Sequence, residues 1–267
     1  MKSTVHIQVA AAAEGSYLKQ AYFETPFKVA NITEDKKKHP LHLMLMSSSP
    51  GILDTDDYEF KIDVEQHAAL HLHTQAYQRI FHMKQQATQQ LQVMLADGAS
   101  FIYLPHPTVP HKQSSFTSLN YFYLGNGCRF VYGEILTCGR KLNGEQFLFS
   151  KYQSISHVYL NNKLLIKENL LMMPALINVH AMGQLEGYTH QASFIYLQEA
   201  VDMEHLRVLL SEILASEKNM EAGISALPIN GIIIRLLGTG AEQLYNCLLR
   251  VNAVLPIQPL NKLQHAG

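Results

Sequence analysis

A mainly β chain is expected, built as β-helical, solenoid-like stacked sheets with two α-helices near the C-terminus. Three observations predict it. Runs that alternate apolar with polar residues, or that concentrate β-branched and aromatic ones, dominate residues 1–198. A loosely repeated turn recurs between those runs. Helical period is confined to residues 199–255.

The first segment alternates around Val5, Ile7 and Val9, which reads as a strand and not as a signal peptide. Strands are expected next over 41–48, 58–64, 69–75, 88–95, 100–104 and 128–136. Two more, over 147–160 and 163–173, are joined by the turn residues Asn161 and Asn162. A helix is expected over 199–219, where Val201, Leu206, Leu209, Leu210, Ile213 and Leu214 form one apolar stripe. A buried strand at 231–238 separates it from a helix over 240–255, which places Leu244, Leu248 and Val251 on one side. The tail 256–267 carries two prolines and is expected to be loosely held. The domain reading is one unit over 1–267, strand-rich to 198 and helix-strand-helix over 199–255.

The repeated turn is "VEQHAAL" (64–70), "LADGASF" (95–101) and "LGNGCRF" (124–130), spaced by 31 and then 29 residues. Histidine or glycine stands where the backbone must bend, and a large apolar residue follows three positions later. Turns feeding similar strands at such a period suggest layers stacked as in a β-solenoid or a folded double sheet.

The composition narrows the function. The chain has 267 residues, 47% of them hydrophobic and only 16% charged. Ordinary domains carry about a quarter charged residues, so this surface is sticky and suits a protein that works in a complex. A net charge of −1 offers nothing to nucleic acid or to an anionic membrane. No apolar run reaches the roughly 18 residues of a membrane span. Three cysteines, Cys128, Cys138 and Cys247, make no CxxC pair; this points to a reducing, cytoplasmic setting and to inert buried thiols.

No phosphate-binding loop, dinucleotide fingerprint or nucleophile elbow is present in the sequence. His71 and His73 are the obvious metal candidates, because residues two apart on a strand share a face. Their imidazoles suit nickel, copper or zinc, with His106 or His111 as further ligands from the loop 105–111. The acidic run 54–57 reads as a solvated turn. Glu134, Glu145 and Glu168 sit in or beside apolar strand text, where a carboxylate must be paired or wet; Arg140 is a partner within reach.

The ordered string "SPGILDTDD", "TQAYQRIF", "PHPTVP", "GEILTCGRKLNGEQF", "LLIKENLLM" and "LEGYTHQASFIYL" resembles the urease accessory protein UreD family, called UreH in some bacteria. The resemblance covers residues 20 to 255. Its most specific pieces are Thr74-Gln75-Ala76 with Arg79, and Glu134 followed by Gly139-Arg140 and Gly144-Glu145-x-Phe147. The resemblance implies a non-catalytic, β-helical scaffold without a tightly bound cofactor. It implies binding to a UreF-like accessory protein, which recruits a UreG-like GTPase, and to apo-urease, in a dimer of heterodimers through the UreF-like partner. Nickel would be in transit, delivered with carbon dioxide for the bridging carbamylated lysine, along a water-filled tunnel.

Carried over position by position, Asp57 and Glu168 match the family's tunnel acids, with Gln75, Arg79, Glu134 and Arg140 shaping the path. His71 and His73 become at most a transient stop for nickel. Two positions depart from the family. The turn 50–57 has fewer glycines than the family's, and His82 stands where a basic or small polar residue is usual. The competing expectation is a β-solenoid hydrolase, either carbohydrate-active or metal-dependent through His71 and His73. The absence of tryptophan argues against its sugar-stacking form.

Overall fold

A computed structural model describes residues 1–34, 40–227 and 229–256. Apart from Pro256, the tail expected to be loosely held lies outside the described residues. The chain opens with β1 (Lys2–Ala12), β2 (Gly15–Phe23) and β3 (Phe27–Asn31). β4 (Leu41–Ser47), β5 (Asp57–Val64), β6 (Ala69–Thr74) and the short β7 (Gln78–Ile80) follow. Next come β8 (Ala87–Leu95), β9 (Ser100–Tyr103), β10 (Thr108–Pro110), β11 (Ser115–Leu124) and β12 (Arg129–Thr137). β13 (Lys151–Leu160) and β14 (Lys163–Met172) form a hairpin over Asn161 and Asn162, both in the left-handed region at φ 49° and 63°. The C-terminal part runs β15 (His190–Gln198), α1 (Met203–Ala215), β16 (Met220–Ala226), β17 (Gly231–Gly238) and α2 (Ala241–Ala253).

The fold is mainly β, with its two helices near the C-terminal end. One sheet has the order β14-β13-β11-β8-β5-β1-β2, and the other β16-β17-β15-β12-β9-β6-β4-β3. β1, β5, β8, β11 and β13 run parallel in the first. β4, β6, β9 and β12 run parallel in the second. From β4 to β13, leaving aside the short β7 and β10, the chain alternates between the two sheets, so each crossing supplies the next parallel neighbour in its sheet. β7 and β10 form a further parallel ladder that meets β12 at Leu136. Antiparallel strands finish both sheets.

The repeated turn falls in register in both sheets. Val64 pairs with Leu95 and Leu95 with Leu124 in the first. Leu70 pairs with Phe101 and Phe101 with Phe130 in the second. The bending residues His67, Gly98 and Gly127 all have positive φ, at 60°, 69° and 61°. Each copy is therefore one crossing between the sheets.

Alternation sends one side chain set of each strand inward. Leu70, Phe101, Phe122 and Phe130 lie wholly buried in the layer between the sheets. A second apolar cluster covers the outer face of the second sheet. There Leu206, Leu210 and Leu214 of α1, with Leu244, Leu248 and Val251 of α2, pack on Val131, Phe194 and Ile234. Asp202 caps α1 by accepting a 3.0 Å bond from the His205 N–H.

The helix expected over 199–219 runs only from Met203 to Ala215, and the chain then enters the edge strand β16. β16 is largely exposed and shows no clean alternation, so period could not mark it. The strand expected over 147–160 begins only at Lys151, because 147–150 belong to a loop. No helix among the described residues is long and apolar enough to cross a membrane.

Candidate functional site

Part of the space between the sheets is hollow. A cavity of about 410 Å³ is walled by Tyr103 and Tyr132 from one sheet and Tyr58 and Tyr152 from the other. Burial pushes the phenols of Tyr103, Tyr132 and Tyr152 up, so they face the hollow as neutral hydroxyls. Its rim includes the turn at Pro50-Gly51-Ile52 and residues 74–79. The rim is tied to the neighbouring loop. Thr74 Oγ1 accepts from the His106 N–H at 2.9 Å and lies 2.8 Å from His106 Nδ1. The Gln78 side chain bridges Gln89 at 2.9 Å and Thr108 at 3.2 Å.

Three expected site residues meet here. Gln75 and Arg79 are exposed at the rim, and Glu134 reaches the interior wall. Among the described residues Glu134 is the one carboxylate lining the cavity. The protein encloses it, and its remaining accessibility faces the hollow. Burial is the main force pushing its acidity constant up; hydrogen bonds from Ser154 and Tyr132 pull it back, and nearby Glu168 pushes it further up. Ser154 Oγ donates to Glu134 Oε2 at 2.7 Å, and the Tyr132 hydroxyl donates at 3.3 Å.

A polar seam continues from Glu134 toward the sheet edges. In the first sheet Asn120 stands beside Ser156, and Ser156 beside Glu168. In the second, Glu134 stands beside Ser193, and Ser193 beside Arg235. The Asn120 amide donates to Ser154 Oγ at 3.3 Å and Ser156 Oγ at 3.1 Å, while accepting from Ser118 at 3.1 Å. Glu168 and Arg235 form an ion pair that joins the two rows, with Arg235 60% exposed and Glu168 20%. Asn120, Ser154 and Ser156 are almost fully buried. Such a buried polar row is costly unless its members satisfy one another, and here they do.

The chain matches the model of the family described as UreD urease accessory protein over residues 1–265. This chain belongs to the UreD family. It is 48% identical over 241 residues to a urease accessory protein UreD of Flavobacterium johnsoniae, covering 90% of this chain and 87% of that one. It is 32% identical over 266 residues to the protein of the same name from Actinobacillus pleuropneumoniae serotype 3, covering 97% and 98%. The Acetivibrio thermocellus relative is 32% identical over 255 residues, covering 95% and 97%.

The remaining positions carried over from the UreD pattern lie elsewhere. Asp57 opens β5 on the outward side, exposed, accepting a 2.7 Å bond from Thr88 Oγ1. Its neighbour Asp56 is the buried acid, 4% exposed. Asp56 accepts from the Leu53 N–H at 2.8 Å, from the chain's first amino group at 3.0 Å, and from the Tyr58 hydroxyl at the cavity wall. Arg140 pairs with Glu145, Nε to Oε2 at 2.9 Å, in an exposed loop away from the cavity walls. That loop holds the string "GRKLNGEQF", part of the signature on which the resemblance rests: Gly139 has φ 115°, and a side chain there would stand 2.9 Å from the Pro110 carbonyl and 3.1 Å from that of Glu145. The signature therefore specifies backbone shape.

His71 and His73 lie on the outer face of the second sheet, opposite to inward Leu70 and Leu72. They meet His42 of β4, which sequence spacing did not single out. His42 becomes visible only through the β4–β6 register, which sets it beside His71. Asn120, Ser154, Ser156 and Arg235 were likewise missed. Their signal was available as polar residues at inward positions of otherwise apolar strands. Cys128, Cys138 and Cys247 are buried free thiols; burial pushes Cys128 and Cys247 up to about 11.

Proposed function

We propose that this chain is a non-catalytic urease maturation scaffold of the cytoplasm that conducts nickel through its interior. The parallel ladders are read as rungs of a β-helical body. The cavity and the polar seam are read as a water-filled route, entered past Gln75 and Arg79, passing Glu134, and leaving by Glu168 and Arg235. The route does not run past Asp57 or Arg140, which lie outside the hollow. The observation that carries it is Glu134, a buried carboxylate set among neutral hydroxyls on the cavity wall.

Such a wall suits a divalent cargo. A cation near Glu134 would hold its proton off, while hydroxyl and amide oxygens share the coordination weakly enough for the ion to move on. In this reading the chain binds apo-urease and a UreF-like accessory protein, which brings a UreG-like GTPase, in a dimer of heterodimers. Nickel is cargo, with no resident cofactor. The low charged fraction, 16%, suits a surface largely covered by partners. Co-expression of urease subunits with the other accessory proteins in nickel medium tests the role: activity should collapse when this chain is omitted, and unchanged activity would refute it.

A further inference from the structure

We infer that His42, His71 and His73 form a binding site for one divalent transition-metal ion of the nickel, copper or zinc class, on the outer face of the second sheet. The site goes beyond the interior route, because its three rings project on the opposite side of the strands from the cavity's walls. It stands on their geometry alone.

The strands build the cluster. β4 and β6 are parallel neighbours, and their register sets His42 directly beside His71. His73 follows two residues later on the same face. The ligating nitrogens all lie within 4.8 Å of one another. His42 Nδ1 and His73 Nε2 are 3.0 Å apart, and the His71 and His73 rings stack at 3.9 Å. Metal–imidazole bonds of about 2.0–2.1 Å place neighbouring donors about 3 Å apart around one ion. One pair already has that spacing, as a hydrogen bond between the two rings that a bound ion would replace, and the third nitrogen lies within 4.8 Å of both.

The rings are also in the right chemical state. Burial, and then the neighbouring imidazoles, push His71 down to about 3 and His73 to about 4, and burial lowers His42 as well. An ion binds the neutral imidazole through its lone pair. An all-nitrogen set selects nickel, copper or zinc over magnesium or calcium. Three protein ligands leave positions open for water or for an incoming ligand, which makes the ion exchangeable. Thr74 and Gln75, directly after His73 in the chain, belong to the cavity rim.

The test uses the purified full chain and nickel chloride. Isothermal titration is run on the parent, on a His42→Gln/His73→Gln double variant, and on a His82→Gln control. His82 is exposed and outside the cluster. The double variant should lose one bound ion per chain, or bind it at least about tenfold more weakly, while the control matches the parent. Equal binding in a double variant with unchanged circular dichroism would overturn the site. Should the double variant not fold, electron paramagnetic resonance of the copper(II)-loaded parent decides: coupling to three imidazole nitrogens is expected, and one or none refutes the cluster. Loss of urease activation without loss of metal binding would leave this site intact, and the converse would leave the scaffold reading intact.

Discussion

Residues set the chemistry of the interior through burial. His190 is 5% exposed on β15, and burial, with Lys141 second, lowers it to about 4 from an ordinary 6.5. Above 6.5 both the folded and unfolded chains hold it neutral. As pH falls below 6.5 the unfolded chain takes the proton first, so the stability contributed by neutral His190 is lost progressively toward pH 4. A lowering from 6.5 to about 4 corresponds to about 3 kcal/mol. His190→Gln should shrink the fall in urea midpoint between pH 6.5 and 4. An equal fall in parent and variant would put the loss on other groups. Glu134 was legible at this scale, because a carboxylate inside an apolar strand must be paired or wet. The choice between Asp56 and Asp57 was not: strand parity decides which is buried, and the sequence of the turn does not fix where β5 begins.

Elements explain which motifs are about shape. The 64–70, 95–101 and 124–130 repeat was legible because every crossing needs the same left-handed bend and the same apolar pair. β16 and the exact end of α1 were not, since an exposed edge strand leaves no apolar period. The loop after β12 yields a direct test. Gly144 has φ 78° with open space around it, so Gly144→Ala should cost about 1 kcal/mol, from its left-handed backbone. Gly139→Ala adds contact with two backbone carbonyls that cannot rotate away, and should cost about 2–4 kcal/mol by denaturant unfolding. Equal losses at the two glycines would mean the loop is not held as described. Truncation of α1 is a second test: Leu210 is fully buried, and Leu210→Ala should cost about 2–5 kcal/mol.

At the scale of the whole molecule, two sheets linked by repeated crossings leave an apolar interior crossed by a polar line from Glu134 to Glu168. The family resemblance placed Gln75, Arg79, Glu134 and Glu168 in one chain order; only the fold brings the first three to one cavity and sets Glu168 against Arg235 at the edge. His71 and His73 turn away from that interior and meet a third histidine, His42, from another strand. The most direct measurement is the nickel content of urease matured with a Glu134→Gln/Glu168→Gln variant, alongside capture of apo-urease and the other accessory proteins by the same variant. Nickel content should fall several-fold while capture and thermal unfolding stay close to the parent's. Full nickel loading by a variant that binds its partners normally would contradict an interior route.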